Sequence, residues 1–190
     1  MRRASFGFKL ALQLLEKGRA VEALALAQQL VGSSDEDARI DGFMCMGYVY
    51  EQGGADMEPD FDKSLDCFRR ASLLAPHGIT FLDLARISLK RKDFPAALRF
   101  LHVSAGYEIM PETLLGYGQY FEEVLPPDAE KAKSHFLRAA LRGRFAGFFG
   151  YSRVARASGQ HGRAFLMDCA RILSGPIIAL AIGVRAQYRF

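Results

Sequence analysis

Apolar positions along this chain recur at steps of three and four residues, and glycine or proline interrupts the steps at regular intervals. Phe43, Met46, Val49 and Tyr50 fall on one face of a helix. Leu65, Phe68 and Leu73 fall on one face of another, with Ala71 filling the gap. Such spacing marks amphipathic helices. Gly18, Gly32, Gly53, Gly106, Gly143 and Gly159 are predicted at helix ends, where a residue of positive φ costs least. Pro59, Pro76, Pro111, Pro126 and Pro127 are predicted in loops or first turns, and Pro95 early in a helix. No alternating run of β-branched residues bounded by turns is present, so the pattern predicts an all-α chain.

The pattern also repeats. Asp60-Phe-Asp-Lys63-Ser64-Leu-Asp-Cys67-Phe68-Arg-Arg70-Ala71-Ser72 returns as Asp128-Ala-Glu-Lys131-Ala132-Lys-Ser-His135-Phe136-Leu-Arg138-Ala139-Ala140. The small residue inside this phrase aligns at Ala23, Ser64, Ala97, Ala132 and Ala164, at spacings of 41, 33, 35 and 32 residues. An apolar-small pair lies upstream of each: Leu10-Ala11, Met46-Gly47, Leu84-Ala85, Tyr117-Gly118 and Phe149-Gly150. Their spacings are 36, 38, 33 and 32. Two markers sharing one period predict stacked helix hairpins. The units span about 4–32, 37–75, 77–106, 111–143 and 145–174, within a single domain covering 1–190. The longer second unit carries an extra loop, Gly53 to Asp60. Gly47, Gly118 and Gly150 are expected where helices approach closely, with Phe68, Phe100 or Leu101, Phe136 and Met167 filling the space between hairpins. Phe149 is expected on the core side, beside Gly150.

The residues Gly42, Met46, Gly47, Tyr50, Gly53, Asp60, Lys63, Phe68, Arg70 and Ala71 resemble the Sel-like repeat, a relative of the tetratricopeptide repeat. The fourth unit matches at Gly118, Phe121, Asp128, Lys131, Ala132, Phe136, Arg138, Ala139 and Ala140. The third unit departs from the pattern at Ala85 and Ser88, and the two terminal units depart further. The resemblance implies a right-handed α-solenoid of about five helix-turn-helix hairpins, here with a C-terminal capping helix. It implies a protein-protein interaction module, an adaptor or scaffold, that binds a peptide or partner helix on a concave face lined by first helices. Non-consensus residues on those helices nominate Tyr48, Gln52, Asp83, Arg86, Gln119, Glu123 and Tyr151 as the binding residues. Tyr and Arg are the residue types that anchor interfaces.

Composition adds limits. The three cysteines, Cys45, Cys67 and Cys169, show no metal spacing and read as buried thiols in a reducing compartment. Secreted Sel-like proteins carry a cysteine pair in every repeat. Here only the second unit holds two, so that cross-linking is not carried over. The four histidines sit in separate units, and no phosphate loop, nucleophile elbow or zinc-protease motif is present. The expectation is a non-enzyme with no cofactor, no metal and no small-molecule substrate. Residues 1–10 read as the start of the first helix rather than a signal peptide.

Charge is uneven. Residues 128–190 hold 11 Lys+Arg against 3 Asp+Glu, within a chain of net +4. This basic pole fits an acidic protein or an anionic membrane surface. The mixed stretch Arg142 to Arg153 also has the residue types of single-strand binders. The repeat phase explains its aromatics more simply, so nucleic acid is not expected as a partner. Beyond residue 174 the chain is apolar for ten residues. Two readings of 175–185 stay open: a cap on the last hairpin, or a docking segment formed by Ile177, Ile178, Leu180, Ile182 and Arg185. The expected setting is the bacterial cytoplasm, with the second reading placing the protein at the periphery of the inner membrane.

Overall fold

The computed structural model describes residues 6–182, and side chains as far as residue 173. It divides into two compact units, Met1–Tyr107 and Glu108–Phe190. In the first, three hairpins follow one another: α1 (Phe6–Glu16) with α2 (Ala20–Val31), α3 (Glu36–Gln52) with α4 (Phe61–Leu74), and α5 (Gly78–Lys90) with α6 (Phe94–Tyr107). Each helix packs on the next, and α1 also packs on α3. In the second unit, α7 (Pro111–Glu123) pairs with α8 (Ala129–Leu141), and α9 (Ala146–Ala157) with α10 (His161–Ile182). Here α7 packs on α9 as well as on α8. Among the described residues no strand is present, and one isolated bridge joins Gly54 to Met57.

The repeated phrase has a physical basis. Asp60 and Asp128 are the N-caps of α4 and α8, accepting the backbone N–H of Lys63 at 2.9 Å and Lys131 at 3.0 Å. Each lysine ammonium returns to its aspartate at 3.0 Å. A capped first turn satisfies donors that the helix itself cannot. The backbone N–H and side chain of Lys63 and of Lys131 hold these two carboxyls below the usual range. The small residue one position later is buried in all five second helices. Ser64 uses its burial to donate from Oγ to the Gly47 carbonyl at 2.8 Å. The bulky residue fills the gap left by the glycines: a Cβ on Gly47 would stand 2.6 Å from the Phe68 ring.

The extra loop of the second repeat also has a task. Arg19, at the N-cap of α2, offers no side-chain cap. Asp56 supplies one from the loop, its two carboxylate oxygens each 3.2 Å from the backbone N–H groups of Ala20 and Val21. Asp56→Ala is expected to lower stability by about 1 kcal/mol. The check is the urea midpoint followed by circular dichroism, with Asp56→Asn retaining most of the wild-type value.

Three expectations are corrected. Leu73 lies on the exposed side of α4 rather than in its core. Its neighbours Leu74 and Ala75 pack against the core instead, so the turn of the helix carries Leu73 outward. Phe149 is half exposed whereas Phe148 is buried. The phase of α9 is set by Gly147 and Gly150, both pressed against α8, and that turns Phe149 outward beneath the Arg171 guanidinium, 4.3 Å from its ring. Residues 175–182 do not start a separate helix, because α10 runs unbroken from His161 to Ile182 across Gly175 and Pro176. A helix already several turns long propagates past one missing N–H more readily than a new one nucleates.

Candidate functional site

Helices α3 and α5 bring Tyr48, Asp83 and Arg86 together. The Tyr48 hydroxyl donates to Asp83 Oδ2 at 3.0 Å, and Arg86 donates to Asp83 Oδ1 at 2.6 Å. The other arm of Arg86 reaches Glu51, and Lys90 Nζ lies 2.8 Å from Glu51 Oε1. The guanidinium stands over the rings of Tyr48 and Phe68, at 5.6 and 6.0 Å. Those two rings meet edge to face at 5.2 Å. Burial raises the pKa of Tyr48, and the charge of Asp83 adds to it. Burial likewise raises Asp83, against the pull of Arg86. Burial opposes the charge on Arg86, but Asp83 and Glu51 outweigh it and raise its pKa. The result is a neutral set of two carboxylates and two cations in which each geometry depends on the others.

Gln52 is exposed immediately beside this set. In the second unit, Gln119 is exposed on α7 and Glu123 is half-buried near its end. Tyr151 packs against the core formed by Leu114, Leu115, Ala132, Phe136, Ala139 and Val154. Ile177, Ile178, Leu180 and Ile182 fall within α10, but their side chains lie outside the described residues, as does Arg185 altogether.

Glu51 belongs to the network although the repeat pattern does not nominate it for binding, whereas Lys90 lies among the non-consensus first-helix positions with Asp83 and Arg86. The sequence does hold a signal for Glu51: it stands four residues after Gly47, on the same buried helix face. A carboxylate on that face requires a cation from a neighbouring element.

The described basic residues of the second unit serve largely as ties. Arg144 pairs with Glu112, Arg153 holds Glu122 through two contacts of 2.6 Å, and Arg156 pairs with Asp168. Arg142 donates to the Ile109 carbonyl at 2.8 Å. Lys133 is buried between Glu130 and Gln160, 2.7 Å from each. His135 stacks on Tyr117 and Phe121, with centroids 5.1 and 5.5 Å away, and burial lowers its pKa, with Arg138 adding to the effect. All three cysteines are free thiols. Burial pushes Cys45 up to about 12 and Cys67 to about 11, with Asp41 and Asp66 adding to the respective shifts. Neither is a ready nucleophile. Among the described residues no cluster of His, Cys, Asp and Glu could hold a metal ion.

Hairpins whose second helices share a buried small residue, stacked so that each helix packs on the next within its unit, define an all-α, tetratricopeptide-like helical-repeat fold. Solved structures of MamA have the same fold. MamA residues 41 to the end from Desulfovibrio magneticus RS-1 align with a TM-score of 0.64 at 16% identity, over 98% of this chain and 100% of that one. A second crystal structure of MamA aligns with a TM-score of 0.65 at 11% identity, over 94% and 99% of the two chains. A third, MamA AMB-1, aligns with a TM-score of 0.54 at 19% identity, over 87% and 95%. No protein-family model matches the chain, and neither does any curated protein.

Proposed function

We propose that this protein is a non-enzymatic adaptor or scaffold that holds a peptide or a partner helix against its first helices, with the α3–α5 face of the first unit as the principal contact. The observation that carries this reading is the network of Tyr48, Glu51, Asp83, Arg86 and Lys90. It fixes Arg86, 27% exposed, over Tyr48 at the edge of two neighbouring first helices, with Lys90, 42% exposed and more loosely held, beside it. Groups already held in place lose little entropy when a partner arrives. The helical-repeat fold supports the same reading, since such folds present long surfaces built from successive hairpins.

A photo-crosslinking amino acid at Gln52 tests this without disturbing the buried groups. It is expected to capture a protein partner in cells of the source organism, while the same probe at Leu73, exposed on α4, captures none. Equal capture at both positions, or capture at Leu73 alone, overturns the assignment of the face.

A second reading is favoured by α10, where Phe165, Leu166, Ile172 and Leu173 are all exposed. Among the described residues no helix is long and apolar enough to cross a membrane. An apolar helix face followed by an apolar segment and arginines suits attachment to an anionic surface instead. In this reading the protein works in the bacterial cytoplasm, at the periphery of the inner membrane. Flotation with anionic but not neutral vesicles, lost on truncation after residue 174, is the expected result; flotation that survives truncation sinks it.

A further inference from the structure

The network on α3 and α5 leaves one acceptor without a donor. Asp83 is satisfied on both oxygens, by Tyr48 and by Arg86. Tyr48 has spent its hydroxyl proton on Asp83. Both cations converge on one oxygen of Glu51, Oε1, while the other, Oε2, is buried and accepts no hydrogen bond from the described residues. Glu51 as a residue is only 4% exposed. A buried carboxylate oxygen in this state calls for an N–H donor, because leaving it unmatched costs more than a typical hydrogen bond contributes.

The two cations are not equally fixed. Arg86 is held by two carboxylates and covered by two rings. Lys90 is 42% exposed, held by a single ion pair and by the Phe61 ring at 5.5 Å. Lys90 is the more exposed of the two cations, and its side chain can turn into solvent while Arg86 still holds Glu51 Oε1. With Lys90 turned away, the site keeps two carboxylates and one cation, a net charge of −1.

We propose that Glu51, with Asp83 behind it, is the seat for a basic side chain of a protein partner, and that Lys90 occupies it until a partner lysine or arginine takes its place. The inference rests on the reading that the α3–α5 face binds a protein, and it specifies the chemistry recognised there. An acidic side chain is the wrong complement, because it would add a third carboxylate while both terminal nitrogens of Arg86 are already engaged.

The test uses the full chain and fluorescein-labelled peptides of about twelve residues, alternating lysine with alanine or glutamate with alanine. Lys90→Gln is expected to tighten binding of the lysine peptide by about fivefold, and Glu51→Gln to weaken it by at least as much. Lys17→Gln, which removes an exposed lysine elsewhere in the first unit, is expected to change it less than about twofold. Equal effects of Lys90→Gln and Lys17→Gln, or equally strong binding of the glutamate peptide, overturn the proposal. Should Glu51→Gln fail to fold by circular dichroism, the comparison of the two lysine variants still decides. Partner capture at Gln52 alongside indistinguishable lysine variants removes this inference and keeps the scaffold. Selective lysine-peptide binding without any capture keeps the seat and removes the scaffold.

Discussion

Replacing Arg86 with methionine is expected to lower the unfolding free energy by about 3–5 kcal/mol. Methionine keeps most of the apolar volume beneath the Tyr48 and Phe68 rings, so the loss isolates the charge. Without Arg86, the Asp83 carboxylate keeps only the Tyr48 hydroxyl as donor, and Glu51 keeps only Lys90. Both carboxylates remain buried. The variant should also gain a diagnostic pH dependence. Burial already raises the Asp83 pKa in the folded protein, and Arg86, aided by the Tyr48 hydroxyl, opposes the rise. With Arg86 gone, folded Asp83 binds a proton at a pH where the unfolded chain does not. Stability of the variant therefore increases as pH falls from 8 towards 5, with the sign fixed by the greater proton uptake of the folded state. Urea unfolding of the variant and the wild type at both ends of that range measures it. A deficit that does not shrink at the lower pH would show that Asp83 is not the stranded group.

Gly118→Leu is expected to cost about 1–3 kcal/mol through overpacking, outweighing the roughly 1 kcal/mol that leaving glycine gains in a helix. A Cβ at residue 118 would stand 2.6 Å from Phe136 Cε1. The ring cannot yield in the opposite direction, because a Cβ on Gly150 would lie 2.5 Å from Phe136 Cδ1. Phe136 is thus held between the glycine of α7 and the glycine of α9. Gly106 gives the control. It lies in the last turn of α6 with open space around it, so Gly106→Leu should be neutral or slightly stabilising. Thermal unfolding of both variants is the measurement. Combining Gly118→Leu with Phe136→Ala should recover part of the loss, since each removes the obstacle to the other.

Much of this architecture is legible in the amino-acid sequence. The repeated phrase places the second helices, and its aspartate, lysine, small residue and phenylalanine are cap, cap partner, buried contact and filler. Those tasks repeat because each is local or spans adjacent helices with the same geometry. The same regularity misleads at Leu73 and Phe149. Spacing nominates a buried face only to within about one residue, and the structure packs Leu74 rather than Leu73 and Phe148 rather than Phe149. The binding candidates divide similarly. Tyr48, Asp83 and Arg86 do come together, while Gln52 stays exposed and Tyr151 serves the core of its own unit.

By itself the sequence determined an all-α chain of stacked helix hairpins and the glycines at which helices touch. It could do so because helix periodicity, capping and close approach are written within a dozen or so neighbouring residues. Only the tertiary structure decided that Tyr48 meets Asp83 and that Arg86 reaches Glu51, each across 35 positions of chain. Only it showed Asp56 capping a helix 35 residues upstream. Such pairings depend on how one hairpin is set against the next. That setting comes from the summed packing of many side chains, none of which announces its partner in the sequence.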